Sequence, residues 1–208
     1  MNDLYPTIQY KITKSIGAEA SVCDPSDFIV QITAEIFVYS ESDEGTYVGK
    51  CNFYFVDIEE SSDLSDYDPK SLLDVETATS FFIDLFDDTN GFSPEVEEIL
   101  QGSPYERNMF IIDRVEIIQE YRGKGLAKVA IRDAITLFCG SANVVALKAY
   151  PLQMEARNPG REQNKHDVLM GLDKFTCTDE NAVRKLGLFY ESLGFKFIGD
   201  EGLMIKSC

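Results

Sequence analysis

The segment Met109 to Phe138, MFIIDRVEIIQEYRGKGLAKVAIRDAITLF, constrains the fold more than any other part of the chain. Its apolar, β-branched first part predicts a strand. The turn Arg122-Gly123-Lys124-Gly125-Leu126-Ala127 follows at once. After the turn, Leu126, Val129, Ala130, Ala134, Leu137 and Phe138 recur at helical spacing. A strand, a glycine turn and a helix in that order leave backbone N–H groups unpaired at the positive end of the helix. This is an anion site, and pyrophosphate is its usual guest. Gly123 and Gly125 let the backbone come close to a ligand, and Arg122, Lys124 and Lys128 add charge. The P-loop spacing GxxxxGK[ST] is absent, and a dinucleotide fingerprint would need its third glycine at Lys128.

A second segment, Asn181 to Phe197 (NAVRKLGLFYESLGFKF), predicts a helix that stops at Gly194 and passes into a β-rich run. Phe189 to Phe195, FYESLGF, resembles the pattern L-Y-x-x-x-G-F. Ile117 to Leu126, IIQEYRGKGL, resembles V-x-P-x-Y-R-G-K-G-L with Gln119 in place of the proline. The pattern [QR]-x-x-G-x-[GA] is met by Arg122, Gly125 and Ala127. Through these motifs, in this order, the chain resembles the GCN5-related N-acetyltransferases (GNAT), which bind acetyl-CoA. Each motif also has a plainer reading. The turn reads as a basic helix N-terminus without a ligand, and Tyr190 as a half-buried aromatic with a satisfied hydroxyl.

The resemblance implies a mixed α+β fold: a mostly antiparallel central sheet of six to seven strands, splayed at a cofactor cleft and flanked by helices. It implies an acyltransferase that moves an acetyl group from acetyl-CoA directly to an amine in a ternary complex, without a metal. Backbone groups of Val115 and Ile117 would meet the pantetheine arm. Arg122, Gly123, Lys124, Gly125, Leu126 and Ala127 would hold the pyrophosphate. Tyr190 stands where the family often has the general acid, and a phenol with a reference pKa of about 10 is protonated at neutral pH.

The base is left open between Asp113 and Glu116 on the strand IIDRVEI. Period-two alternation places Asp113 on one face with Val115 and Ile117, and Glu116 on the other. Relatives that use a glutamate at the position of Ile111, or on the next strand at Lys148, are not matched here. The family's cofactor-contacting asparagine falls at Val183. Asn181, two residues earlier, either serves after a register shift or only marks the helix N-terminus. These departures keep a rival alive, a non-catalytic acyl-CoA-binding sensor or partner-binding domain.

With 208 residues, 44% of them hydrophobic, the chain predicts one elaborated domain over 1–208. The cofactor core spans 108–198, and the N-terminal half is acidic and divergent. Residues 1–107 carry 23 Asp/Glu against 5 Lys/Arg, a balance of −18; residues 108–208 carry 13 against 14, a balance of +1. That split argues against nucleic acid and for a cationic small-molecule or peptide amine as acceptor. No run approaches the roughly 20 apolar residues of a membrane span, and no secretory signal is visible. Five scattered cysteines (Cys23, Cys51, Cys139, Cys177 and Cys208) without a C-x-x-C predict reduced thiols, no disulfide framework and no zinc. The expected location is the cytoplasm, and a homodimer is compatible with the sequence.

Along the chain, alternation predicts strands at 7–13, 27–40 and 46–58, the latter two joined by a hairpin turn at 41–45. Residues 59–69 read as an acidic loop. A helix is expected over 71–87 with Leu72, Leu73, Val75, Ala78, Phe82 and Leu85 as its stripe, and another from Ser93-Pro94-Glu95. Together, 59–107 form a helical insertion before the motif-bearing strand at 109–118. A strand at 142–150, a long functional or mobile loop at 151–178, a helix at 179–193 and strands at 195–199 and 202–206 complete the chain.

Overall fold

The computed structural model describes residues 5–15, 23–39, 44–156, 165–172 and 178–208. Seven strands form one sheet: β1 (Pro6–Lys14), β2 (Ile29–Tyr39), β3 (Gly45–Val56), β4 (Met109–Ile117), β5 (Val144–Lys148), β6 (Lys196–Ile198) and β7 (Leu203–Ser207). Their order is β1-β2-β3-β4-β5-β7-β6. All neighbours are antiparallel except β4 and β5. These two run parallel because a helix, α5 (Leu126–Phe138), carries the chain back between them. The fold is therefore mixed α+β with a mostly antiparallel sheet, as the motifs imply.

Helices cover both faces. On one, α5 and α8 (Asp179–Glu191) pack on Ile32, Phe53, Phe110, Ile112 and Leu147. On the other lie four short helices, α1 (Ile58–Leu64), α2 (Pro69–Leu73), α3 (Thr77–Ser80) and α4 (Pro94–Leu100). Together with Phe82, from the turn after α3, they bury Ile58, Leu72, Leu73 and Val96 against Met109, Ile111, Val144 and Ala146. The adjoining runs Met109–Ile112 and Val144–Leu147 are thus buried on both faces, which explains their unbroken apolar composition.

Several sequence expectations give way to local chemistry. Residues 59–64 are not loop, though 65–68 are: Asp57 caps α1 by accepting from the Glu60 N–H at 3.1 Å, and Glu59 and Glu60 sit favourably in its first turn. The single helix expected over 71–87 is broken into α2, α3 and a 3-10 turn at Ile83–Leu85. The Thr79 hydroxyl donates to the Leu73 carbonyl at 2.6 Å and so closes α2. Val75 is consequently exposed. The buried stripe of α5 is Leu126, Ala130, Ile131 and Ala134, while Val129 and Leu137 face outward. Within 151–178, α6 (Leu152–Ala156) and α7 (Lys165–Met170) form; residues 157–164 and 173–177, with Cys177, and most of the expected 41–45 turn lie outside the described residues.

The cysteines also depart from expectation. Cys139, just after α5, and Cys208, just after β7, form a disulfide with a Cα–Cα distance of 5.9 Å. Strand β7 returns beside β5, and Cys208 donates its N–H to the Asn143 carbonyl at 3.2 Å, next to the end of α5. Sequence distance hides that proximity. Cys23 and Cys51 are free thiols. No described helix is long and apolar enough to cross a membrane.

Candidate active site

The sheet opens between β4 and β5. Their pairing runs only from Met109–Val144 to Ile112–Leu147, so among the described residues Asp113 to Ile117 have no strand partner on that side. A register shift on the other side explains the opening. Asn52 opposes Arg114 while Phe53 opposes Ile112, which leaves Asp113 as the extra residue of a bulge. A bulge bends its strand and increases the local twist. It also resets the alternation. Val115 and Ile117 turn to the face already occupied by Phe110 and Ile112, and Asp113 stands outside both series. The expectation that Asp113 shares a regular face with Val115 and Ile117 is therefore corrected by the bulge. At the far end of β4 the backbones crowd: a Cβ on Gly49 would lie 2.2 Å from the Glu116 carbonyl oxygen, so only glycine fits there.

A cleft of about 610 Å3 fills the opening. Asp113 to Ile117, Arg122 and Gly123 form one side. Lys148, Tyr150, Leu152, Met170 and Leu172 line another, and Ala182, Lys185, Leu186, Phe189 and Tyr190 of α8 form the third. Its charged residues are Arg114, Arg122, Lys148 and Lys185 against Asp113 and Glu116, four positive and two negative. The lining is thus positive by 2 in a chain with a net charge of −17. The local charge of the cleft therefore favours an anion.

The glycine turn sits at one end. Gly123 and Gly125 have φ of 74° and 82°, left-handed values that glycine adopts without strain. Gly125 is the N-cap of α5 and no side chain caps the helix. The first helical acceptor, the Gly125 carbonyl, is used only by Val129, at 3.1 Å. The N–H groups of Leu126, Ala127 and Lys128 accordingly have no intrahelical acceptor. The Leu126 side chain is core, and Ala127 packs against it, so those two residues offer only backbone. Lys124 lies over the Tyr121 ring at 4.6 Å. The Arg122 side chain does a different job: its Nε donates to the Ile117 carbonyl at 2.8 Å and its Nη2 to the Met170 carbonyl, tying the end of β4 to α7. Burial lowers its pKa, with Glu120 opposing that shift.

Tyr190 lines the cleft from α8 and is only 6% exposed. Its ring meets Phe189 and Phe195 edge-on at 5.1 and 5.9 Å. Burial, with a smaller effect of Cys51, raises its pKa, which keeps the phenol protonated. Glu116 is 4% exposed and held by Arg114 at 3.2 Å and by Lys50, its cross-strand neighbour, at 3.5 Å. Its charge helps burial push Tyr47 and Cys51 up to about 12. Asp113, by contrast, is exposed at the fork of the strands.

Asn181 is not among the cleft residues. Its amide donates to the Thr178 hydroxyl at 2.9 Å in the first turn of α8, so it serves the helix start. Residues unmarked in the sequence supply much of the wall: Tyr150, Leu152, Met170 and Leu172, from the end of β5 and the long connection after it, and Lys185 and Leu186 of α8. The length of that connection is the only signal the sequence offers for them. Among the described residues no three His, Cys, Asp or Glu side chains gather as a metal site.

No family model matches the chain, and no curated protein matches it. Among solved structures, Arabidopsis thaliana NAA60 in complex with acetyl-CoA is similar at 15% identity and a TM-score of 0.38, over 97% of this chain and 98% of that one. At those values the likeness carries no weight of its own. The chain's own geometry does: a mixed α+β fold whose sheet is split at β4 and β5 beside an uncapped glycine turn.

Proposed function

We propose that the chain is an acyltransferase of the GNAT kind, moving an acetyl group from acetyl-CoA to an amine. One observation carries this reading. The unpartnered stretch of β4, Arg122 and Gly123 at the start of the glycine turn, and Tyr190 all line one positively charged cleft, and the uncapped start of α5 follows at Gly125. The turn suits a pyrophosphate, because Gly123 and Gly125 bring no Cβ and the helix end is positive. The edge of β4 around Val115, which has no strand partner on the β5 side among the described residues, suits an extended amide-bearing arm, in the manner of an added strand; at Ile117 the carbonyl is engaged by Arg122. Acetyl-CoA supplies the activated thioester.

The chain's residues then perform three tasks. They hold donor and acceptor together, which lowers the entropic part of the barrier. Asp113 receives a proton from the attacking amine, directly or through water. Tyr190 gives its proton to the sulfur as the carbon–sulfur bond breaks and the carbon–nitrogen bond forms. Glu116 is favoured less as base because both its oxygens are engaged; it positions Arg114 and Lys50. The rival reading, a domain that binds acyl-CoA without chemistry, is weakened by the placement of Tyr190 on the cleft wall.

The test is release of free CoA thiol from acetyl-CoA across a panel of amines. Amine-dependent release with an N-acetylated product is the expected result. CoA binding without turnover of any amine would favour the rival.

A further inference from the structure

A smaller cavity, of about 240 Å3, adjoins the cleft and shares Asp113, Arg114, Lys148, Tyr150 and Leu152 with it. Its outer wall is Ala78, Phe81 and Phe82, from the end of α3 and the turn beyond. It is smaller than the roughly 300–1,000 Å3 typical of ligand pockets, which suits a small acceptor. It opens onto the fork of β4 and β5, where an acceptor would meet the thioester. Its assignment as an acceptor site therefore rests on the acyltransferase reading.

The charges of this cavity do not follow those of the acidic half of the chain. Arg114 is paired with Glu116. Asp113 and Lys148 each follow directly on the last β4–β5 pair, Ile112 and Leu147, so an acid and a base flank the mouth of the fork. The half-buried Lys148 ammonium stands 4.1 Å from the centroid of the Phe81 ring and meets no carboxylate among the described residues. A ring face attracts a cation but leaves its N–H donors available to oxygen acceptors. The remaining wall is apolar, from Phe81, Phe82, Ala78 and Ile112.

We propose that the acceptor is a free α-amino acid with a large apolar side chain. Its amine lies toward Asp113 and the thioester, its carboxylate on Lys148, and its side chain along Phe81 and Ile112. Amine and carboxylate on one carbon match an acid and a base at adjacent positions of neighbouring strands. A polycation would bring charge against Lys148 without supplying an anion to it. A peptide N-terminus would offer a carbonyl where a carboxylate is called for.

The experiment titrates L-phenylalanine and L-phenylalaninamide into the CoA-saturated protein and compares their kcat/KM with acetyl-CoA. A hydrogen bond to a charged group contributes about 1.5–3 kcal/mol, so the acid should be preferred about tenfold to a hundredfold. Lys148→Met keeps the stem over Phe81, removes the charge and should erase that preference; Lys148→Gln should do the same. Equal or better use of the amide, a preference for spermidine, or undiminished discrimination in both folded variants overturns the proposal. Should neither variant fold, the wild-type acid-to-amide ratio decides alone. If CoA binds and neither amino acid does at millimolar concentration, this proposal fails and the cleft reading stands. If CoA itself does not bind, both fall.

Discussion

Tyr190 is fixed before any ligand arrives. Phe189 and Phe195 hold its ring edge-on, and burial keeps its proton in place. Tyr190→Phe preserves the ring and removes only the donor. General acid–base groups contribute about 10² to 10⁴ in rate, so kcat should fall into that range while CoA affinity, read by calorimetry, changes little. Full kcat in the variant, with chemistry rate-limiting, would make Tyr190 a packing residue. The neighbouring carboxylates differ in environment. Glu116 is enclosed by two cations, whereas Asp113 is thrust out by the bulge at the fork.

At the scale of elements, the insertion between β3 and β4 is fastened by a clasp. The Glu59 carboxylate of α1 accepts from the Arg107 N–H and Nε, both at 2.9 Å, and from its Nη2 at 3.2 Å. Those Arg107 donors lower the Glu59 pKa against the opposing effect of burial. A lowered carboxylate contributes its full stability above the unfolded pKa of about 4.3 and loses it as pH falls through the folded value. Glu59→Gln should therefore cost on the order of 1 kcal/mol at neutral pH, discounted for exposure. That difference should shrink in urea melts below a pH of about 4.3; a constant difference would contradict the assignment. Elements with strong periodicity were legible in the sequence: β1 to β5, α5, and α8 with its Gly194 stop at φ 92°. Among the short helices α4 was legible from Ser93-Pro94-Glu95; the bounds of α1 to α3 were not, because Asp57 and Thr79 decide them through side-chain hydrogen bonds. The bulge at Asp113 was hidden too, since register depends on the partner strand. The glycine turn and Tyr190 could be named from their motifs, but the apolar wall from Tyr150 to Leu172 could not, having no spacing that marks it.

At the scale of the whole molecule, charge is segregated. The N-terminal half is strongly acidic while the cleft lining is positive by 2, so an anionic donor is repelled by the first half of the chain and attracted to the cleft. The Cys139–Cys208 disulfide joins residues 69 apart in sequence. Loop-closure entropy assigns such a bond about 4 kcal/mol. Reductant should lower the urea midpoint, Cys208→Ser should match the reduced protein, and an unchanged midpoint would mean that the bond adds nothing. Every functional role assigned to the cleft depends on its being a CoA site with the pyrophosphate at the glycine turn. Calorimetric titration of CoA into the wild-type protein and into Gly125→Glu, with thermal melts confirming that the variant folds, tests this most directly. Gly125→Glu sets a side chain and a negative charge on a left-handed turn at φ 82°. Saturable wild-type binding, weakened at least about tenfold in the variant, is the expected result; no wild-type binding at millimolar CoA, or equal affinity in both proteins, would contradict it.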